Sequence, residues 1–218
     1  VKSVIGHAMG SQVGYVADGI FKSQDEIDNH ATQEGAALGR IRWKDLNNDG
    51  KITEADQEWI YDPTPDFTYG FNIYLEYKNF DFTAFFQGVQ GVDIISDLKK
   101  ETDIWAGLNI GFLNKGRRLL DAWSATNPNS NIPAVSLSDN NNEKRVSSYW
   151  VENGSYLKLR TVQIGYNVPK SFAQKLAMER LRFYLSAQNL FTVKSSSFTG
   201  VDPENPNYGY PIPLNITF

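Results

Sequence analysis

Regular alternation of apolar and polar residues is the clearest pattern in the middle of the chain. Within Phe67–Tyr77 every odd position is apolar or aromatic and most even positions are polar. Successive side chains of a β-strand point to opposite faces, so this segment predicts a strand with one apolar face. Lys78 and Asn79 predict a tight turn into a second alternating run, 80–87, which Phe85 interrupts. The two runs together indicate a β-hairpin.

Three further segments alternate in the same way. In 156–168 the apolar residues change parity between Leu159 and Val162. This change predicts a β-bulge near Arg160 and Thr161, which would return both halves of the strand to one face. The other two alternating segments are 181–188 and 212–218.

The connections between the strands differ in length. The long ones are 1–66, 91–154 and 191–211, and the short ones are 78–79 and 169–180. Long loops at one end and short turns at the other are typical of an outer-membrane β-barrel, as are Phe and Tyr near strand ends. A soluble sandwich, whose apolar face packs on a second sheet, is the alternative. Brief helices are predicted at 53–60, 112–123 and 170–179.

Residues 45–56 fit the twelve-residue calcium loop of EF-hands. Oxygen ligands occupy positions 1, 3 and 5, glycine stands at position 6 and a carboxylate at position 12. Calcium is a hard cation that prefers oxygen ligands. The predicted ligands are the side chains of Asp45, Asn47, Asp49, Thr53 and Asp56 and the backbone carbonyl of Lys51.

The flanks of this loop do not suit a calcium sensor, which needs a helix on each side. Gly35 and Gly39 interrupt the incoming segment, and Pro63 and Pro65 stop any outgoing helix. The pattern therefore predicts a structural calcium site that pins a long loop. A polar turn without calcium is the alternative, because Asn-Asn-Asp-Gly is favourable turn chemistry by itself.

Composition excludes several classes of protein. The net charge is −4 without a basic block, which argues against a nucleic-acid surface. The chain has no cysteine, so disulfides, thiolate zinc sites and cysteine nucleophiles are excluded. The chain has no apolar run of about 18 residues, which is the length that would predict a transmembrane helix. His7 and His30 lack metal-site spacing, and no catalytic or phosphate-binding motif occurs, so the sequence predicts no enzyme.

Large aromatic residues in the long loops are candidates for substrate contact. An aromatic ring can stack on a sugar or hold a peptide side chain. The alternative for each is that it packs the loops against one another. The candidates are Trp105, Trp123, Tyr149 and Trp150.

Short motifs follow one another along nearly the whole chain. Residues 14–26 read GYVADGIFKSQDE, 44–53 read KDLNNDGKIT, and 65–70 read PDFTYG. Further on come NPNSNIP at 127–133, YLKLR at 156–160, GYNVP at 165–169 and AQNLF at 187–191. In this order they resemble the SusC/RagA-type TonB-dependent outer-membrane transporters of Bacteroidetes. Ordered agreement of this kind is more specific than any single motif.

The resemblance implies an all-β fold: about five C-terminal strands of a large antiparallel transmembrane β-barrel, of the plugged type with about 22 strands. Residues 1–66 would form an extracellular loop with the calcium motif. Residues 67–218 would form the barrel strands, with extracellular loops at 91–154 and 191–211. The plug and the TonB-contacting segment would lie in a part of the protein outside this chain.

The resemblance also implies the function. Such a protein imports oligosaccharides or peptides through the outer membrane, with a SusD-like surface lipoprotein as its lid and TonB as its source of energy. The chain would contact outer-membrane lipid, and its C-terminus would lie on the periplasmic side. Two rivals remain open, a calcium-stabilised soluble β module that binds carbohydrate and a passive porin.

The end of the chain departs from the family pattern. Pro213 meets Leu214 directly, where relatives carry a longer strand, so either a segment is missing there or the last strand is short. The terminal Phe218 resembles the aromatic C-terminal signal that the barrel assembly machinery reads.

Overall fold

The computed structural model describes residues 4–103, 115–136, 139–207 and 209–218. The chain divides into two compact units. The loop unit consists of Val1–Thr64 and Asp93–Glu152, and the sheet unit consists of Pro65–Val92 and Asn153–Phe218. Within the described ranges, no helix has both the length and the apolar character needed to cross a membrane.

Strands are the main elements of the sheet unit, and they also occur in the loop unit, where they are short. They are β1 (Gln12–Tyr15), β2 (Ala17–Ile20), β3 (Ile41–Trp43), β4 (Gln57–Tyr61), β5 (Phe67–Tyr77), β6 (Phe80–Gln90), β7 (Asp93–Ile95), β8 (Val151–Asn153), β9 (Tyr156–Asn167), β10 (Arg182–Lys194) and β11 (Asn215–Thr217). The helices are short: α1 (Gln24–Asp28), α2 (Asp97–Asp103) and α3 (Lys170–Ala173). The 3-10 turns are Glu54–Asp56, Arg117–Asp121, Ser148–Trp150 and Gln174–Leu176.

The sheet unit is built on one antiparallel sheet in the order β11, β10, β9, β6, β5. These are the five strands that alternation predicts, and the predicted all-β fold class is confirmed. β5 and β6 join through a two-residue turn in which Lys78 has a φ of 55°. β10 is longer than its predicted segment, whereas β11 keeps only three residues of the alternating segment 212–218.

The predicted β-bulge is confirmed. Phe85 of β6 pairs with Thr161, and the next residue, Phe86, pairs with Leu159. Arg160 is therefore the extra residue of β9. The bulge returns Leu159 and Val162 to the same face of the sheet, as the change in sequence parity requires.

One face of this sheet is apolar from edge to edge. Its middle row runs Ile73, Ala84, Val162, Ala187 and Ile216, each paired directly with the next. At the end with the short turns, the row consists of aromatic residues on four strands: Tyr77, Phe80, Tyr166 and Phe183. The opposite face is mainly polar, and Phe85 is an exception on it.

Among its described residues, the loop unit contains three two-stranded sheets, β1 with β4, β2 with β3, and β7 with β8. Its core gathers around Ile20, Ile41 and Trp43. The sequence did not predict these strands, because three to five residues are too few to show a period. The helix predicted at 53–60 is wrong beyond its first turn. Residues 54–56 form a 3-10 turn, and Gln57 is already extended and starts β4.

The other two predicted helices are only partly present. In 170–179, α3 and a 3-10 turn end at Ala177, whose φ of 55° breaks the helix. In 112–123, Arg117–Asp121 forms a 3-10 turn. Residues 112–114 lie outside the described ranges.

Candidate functional site

The predicted calcium loop is a closed turn built on its own side chains. Asp45 accepts hydrogen bonds from the backbone N–H groups of Asn48 (2.7 Å) and Gly50 (2.9 Å). Asn47 Oδ1 accepts the N–H of Asp49, and Asp49 Oδ1 accepts the N–H of Lys51, each at 2.9 Å. Gly50 has a φ of 80°, a conformation that favours glycine. The sequence therefore folds into the predicted turn, with three ligand candidates directed at the loop's own backbone.

Asp56 closes the loop from its far end. The side chain is fully buried and accepts the N–H groups of Leu46 (2.9 Å) and Thr53 (2.7 Å). Burial would raise the pKa of Asp56, but hydrogen bonds from Thr53, Leu46 and Asn47 outweigh it and hold the pKa below its ordinary value. Asp56 thus joins the start of the loop to its end as a carboxylate.

A short parallel bridge ties the loop to the segment before β3. The N–H of Thr32 donates to the Gly50 carbonyl (2.8 Å), and the N–H of Ile52 donates to the Thr32 carbonyl (2.9 Å). This bridge uses the backbone groups on either side of Lys51 and not the Lys51 carbonyl. The Lys51 carbonyl, which is a predicted calcium ligand, therefore takes no part in the bridge.

The donors of this loop suit calcium in kind, because all are oxygens. Within the ranges that the structure describes, no three His, Cys, Asp or Glu side chains converge as a metal-binding group. A calcium ion here would therefore require Asn47, Thr53 and the Lys51 carbonyl besides the carboxylates. The six ligands stay a prediction.

Buried polar side chains hold the loop unit together around β3. Gln33 donates to the Ile41 carbonyl (2.7 Å) and to Asn141 Oδ1 (2.8 Å), and it accepts the Trp43 N–H (2.9 Å). Glu143 accepts the Ile41 N–H at 2.9 Å. Residues that lie more than 90 positions apart in sequence thereby hold the three-residue strand β3 in place.

Glu143 also forms the main buried ion pair of this unit. Its Oε2 lies 2.9 Å from Arg40 Nη1, and the carboxylate is nearly inaccessible. Burial raises the pKa of Glu143, and the positive charge of Arg40 opposes that rise. Arg40 also donates to the Ala134 carbonyl. Through these contacts Arg40, which directly precedes β3, is connected to the later segments that contain Ala134 and Glu143.

The predicted substrate-contact residues pack inside the loop unit where they are described. Trp150 is 1% exposed and donates its indole N–H to the Glu143 carbonyl. Tyr149 and Trp123 are half-buried against the core, and Tyr149 contacts Trp150 edge to face. Trp105 lies outside the described residues. These positions match the packing alternative, and a role in substrate contact stays a prediction.

A lysine reinforces this packing. Lys99 Nζ lies 4.1 Å from the centre of the Tyr149 ring and donates to the Tyr149 carbonyl at 2.5 Å. Burial lowers the pKa of Lys99. The ammonium group of Lys99 therefore packs in the interior of the loop unit, against the Tyr149 ring.

An exposed aromatic that sequence reasoning missed is Trp59 on β4. It is 36% exposed, and His7 stacks on it with ring centres 3.7 Å apart. A groove of about 470 Å³ borders Trp59, Val13, Gln57 and further residues. No sequence pattern singles out this residue, because β4 lies in a segment whose pattern predicts a helix.

The polar face of the sheet unit carries a charge network that sequence reasoning also missed. Lys158 of β9 is 1% exposed, and its Nζ lies 2.7 Å from Asp202 Oδ1 and 2.5 Å from Glu204 Oε2. Arg160 pairs with Glu204 as well. Alternation places Lys158 on the polar face, but nothing in the sequence pairs it with residues more than 40 positions later.

A second charged group lies on this face near the short-turn end. Arg182 Nη2 lies 2.6 Å from Asp81 Oδ1, and the pair sits over Gly165. A Cβ on Gly165 would come within 2.6 Å of both side chains, so glycine leaves the space that the pair fills. A polar groove of about 570 Å³ adjoins the pair and is bordered also by Tyr74 and Glu76.

Comparison with known proteins agrees with the sequence resemblance. The chain is 38% identical to TonB-dependent receptor P3 of Formosa agariphila, over 91% of this chain and 19% of that protein. It is 32% identical to TonB-dependent receptor P26 of the same organism and 27% identical to TonB-dependent receptor SusC of Bacteroides thetaiotaomicron. The chain thus spans about a fifth of the length of the curated relatives that it matches.

Solved structures show the same fold. The RagAB peptide transporter matches with a TM-score of 0.68 and 26% identity, over 89% of this chain and 20% of the matched chain. The RagAB peptide importer in its open-open state matches with a TM-score of 0.67. No protein-family profile matches the chain. The sequence and the fold together make this chain a homologue of the SusC/RagA-type TonB-dependent receptors, matching a segment of them.

Proposed function

We propose that this chain is a section of the wall of an outer-membrane importer of the SusC/RagA type. Its sheet would cross the membrane with the apolar face toward lipid and the polar face toward the lumen. The long connections would lie outside the cell, and the C-terminus would lie on the periplasmic side. We also propose that this segment lies in the C-terminal part of the whole protein.

The observation that carries this proposal is the exposure of the apolar face. Phe71 is 43% exposed, Leu75 60% and Leu185 53%, although all three are large hydrophobic residues in the interior of strands. Soluble proteins rarely expose so large a contiguous apolar surface. A bilayer would cover it, since lipid tails replace the second protein layer.

The distribution of aromatic residues along the strands supports the same orientation. The four-strand aromatic row that contains Tyr77 stands at one end of the apolar face, and Phe67 stands ten residues away at the other end of β5. At about 3.4 Å per residue and a tilt of about 40°, ten residues span about 26 Å. The apolar band of outer-membrane barrels is about 25 Å tall and has aromatic girdles at both borders.

The exposed apolar face also weighs against the soluble carbohydrate-binding module, because such a module would bury this face against a second sheet.

The names of the relatives describe receptors and transporters, which supports a protein that is not an enzyme. RagAB is named a peptide transporter, which supports a peptide as the cargo proposed here. An oligosaccharide, which the family resemblance implies as well, is the alternative cargo. The proposed partners are a SusD-like lipoprotein and TonB, the latter through the part of the protein outside this chain.

Cysteine scanning of β5 in the intact protein tests the orientation. This chain has no native cysteine, so background labelling can come only from other parts of the protein and is measured in the unsubstituted protein. A membrane-impermeant maleimide should label Asn72→Cys on the polar face and spare Ile73→Cys on the apolar face. On whole cells Val201→Cys should react, whereas Asn79→Cys in the hairpin turn should react only after the outer membrane is opened. Equal labelling of the two faces would overturn the proposal.

Dependence on energy separates active import from a passive porin. A TonB-dependent importer stops accumulating cargo when the proton-motive force is collapsed. A porin continues to equilibrate the same cargo across the membrane.

We also propose a structural calcium ion at residues 45–56, bound by Asp45, Asn47, Asp49, Lys51, Thr53 and Asp56. The closed turn, the glycine at position 6 and the oxygen-only donor set support it. In the extracellular medium, where calcium is plentiful, a site of modest affinity would be filled. The ion would stiffen the loop unit without acting as a switch.

Protease sensitivity tests the calcium proposal. Removing calcium with a chelator should speed cleavage within residues 35–65, and Asp49→Ala should abolish that calcium dependence. Glu54→Ala, a neighbouring acidic change outside the predicted ligands, is the matched control. Unchanged cleavage of the wild type with and without calcium would disprove the site.

A further inference from the structure

The connection after β10 turns back onto the sheet, and residues 195–207 are named the return loop here. Phe198 is only 4% exposed, and Lys194 Nζ lies 5.1 Å from the centre of its ring while donating to the Gly200 carbonyl. The N–H of Ser195 donates to the Ser155 carbonyl at 3.0 Å. The return loop is therefore a packed segment of the sheet unit.

A charge network fastens this loop at its centre. Asp202 is 6% exposed, and each of its two carboxylate oxygens accepts a hydrogen bond from Lys158 Nζ, at 2.7 and 3.0 Å. Glu204 receives Lys158 at 2.5 Å, the Tyr156 hydroxyl at 2.7 Å and the Arg160 guanidinium. Two cations and two carboxylates balance one another, with Lys158 and Asp202 buried and the contact between Arg160 and Glu204 open to solvent. Taking away one partner would leave a buried charge unpaired.

Every anchor of the loop projects from the same face of the sheet. Lys158 pairs in register with Gln87, and Tyr156 pairs with Val89 and Lys194, all on the polar face. Arg160, the bulge residue, donates to Gln87 Oε1 at 2.8 Å and so points the same way. The return loop consequently lies over the polar face.

Asp202 fixes the chain beyond the loop as well. Its Oδ2 accepts the backbone N–H of Ile212 at 3.3 Å, and its Oδ1 accepts that of Glu204 at 3.0 Å. One carboxylate therefore joins the β9 lysine to both the loop and the residues that lead into β11. The position of the whole connection depends on the pairing of Asp202 with Lys158.

We propose that Lys158 is a positioning residue that holds the return loop over the polar face, where the loop narrows the passage and limits the size of the cargo. The inference rests on the proposed function, because only then is the polar face the wall of a passage. Release of Lys158 would free the loop from the wall and widen the passage.

The position of the loop is tested in the intact protein in its outer membrane. Lys158→Met keeps the length of the stem and removes the ammonium group, and Lys158→Arg restores a cation. Lys175→Met, an exposed lysine of the short connection, is the matched control. Chymotrypsin applied to whole cells cuts after aromatic residues and so reports on the buried Phe198.

We expect cleavage after Phe198 to be slow in the wild type, in Lys158→Arg and in Lys175→Met. In Lys158→Met it should be about tenfold faster, because proteolysis follows the population of the open loop. Glu204→Gln, which keeps the shape of the side chain, should show an intermediate rate and serves where Lys158→Met fails to assemble. Equal rates in all assembled variants would overturn the role of Lys158.

The size limit is tested by labelling Gln163→Cys on the polar face from outside the cell. A small maleimide should react at similar rates in the wild-type and Lys158→Met backgrounds, whereas a polyethylene-glycol maleimide should react faster only in Lys158→Met. If Lys158→Met speeds cleavage but does not speed labelling by the large reagent, then Lys158 holds the loop in place but the loop does not narrow the passage. Labelling of Ile73→Cys as fast as Asn72→Cys would instead disprove the proposed function and leave the contact between Lys158 and the loop standing.

Discussion

The phenol ring of Tyr69 lies across Gly88 of the neighbouring strand. The two residues are direct cross-strand partners, and a Cβ on Gly88 would come within 2.1 Å of Tyr69 Cζ. Glycine provides the space that the ring fills, and the ring covers backbone that glycine would leave bare. The pair stands at the long-loop end of the apolar face, where an interfacial tyrosine is expected.

Gly88→Ala should therefore displace the Tyr69 ring and destabilise the protein by about 1 kcal/mol. In a Tyr69→Ala background the same change should cost little, because no ring remains to be displaced. Urea unfolding of the intact protein in lipid vesicles, arranged as a double-mutant cycle, measures the difference. An equal cost of Gly88→Ala in both backgrounds would assign the effect to the backbone.

Truncation should destabilise the loop unit far more at Trp150 than at Trp59. Trp150→Ala empties a fully buried site and should destabilise the loop unit by about 3–5 kcal/mol. Trp59→Ala removes a partly exposed ring and should cost less than about 1 kcal/mol. Hydrogen–deuterium exchange across residues 12–61 and 139–152 reports the stability of the unit. If Trp150→Ala left exchange unchanged while weakening uptake, the substrate-contact prediction for Trp150 would gain support.

Arg40→Met should destabilise the loop unit by about 3 kcal/mol at neutral pH, because it leaves the buried Glu143 carboxylate without its cation. Burial already raises the pKa of Glu143, and without Arg40 the pKa should rise further. A raised carboxyl pKa favours the protonated form in the folded state, so stability falls as pH rises above the ordinary value of 4.5. The loss in Arg40→Met should thus be smaller at pH 4 than at pH 7. Exchange measured at both values, with Arg117→Met as a surface control, checks this, and a pH-independent loss would contradict it.

The return loop should detach in acid. Burial acts to raise the pKa of Glu204, but hydrogen bonds from Arg160, Lys158 and Tyr156 prevail and lower it to about 2. The contribution of Glu204 is complete above its ordinary pKa of 4.5 and is lost as pH falls toward about 2. Cleavage after Phe198 by pepsin, which works across this range, should therefore accelerate below pH 4.5. In Glu204→Gln the cleavage rate should depend less on pH, and an identical pH profile would exclude Glu204 as the titrating group.

Much of the sheet unit follows from the sequence because long strands repeat one rule many times. Over eleven residues, Phe67–Tyr77 alternates often enough to identify the strand and its apolar face. The change of parity in β9 located the bulge at Arg160 for the same reason. The strands of the loop unit have only three to five residues, so their pattern is too short to be distinguished from a turn or the start of a helix.

The calcium loop shows how far a motif can lead. Its residues predicted a calcium site, with a polar turn as the alternative. The backbone N–H groups of Asn48 and Lys51 donate to Asp45 and Asp49, and these local hydrogen bonds are enough to form the turn. The burial of Asp56 and the bridge to Thr32 depend on segments outside the motif. The chelator experiment tests whether this loop binds a calcium ion.

The sequence by itself determined the five strands of the sheet unit, their two faces, the bulge and the family, because each is written in local periodicity or in ordered motifs. Only the tertiary structure decided which charges meet. Lys158 with Asp202, and Glu143 with Arg40, are separated by 44 and 103 residues, and no local rule links them. Such pairs form because folding removes both charges from water, and each must then find the other.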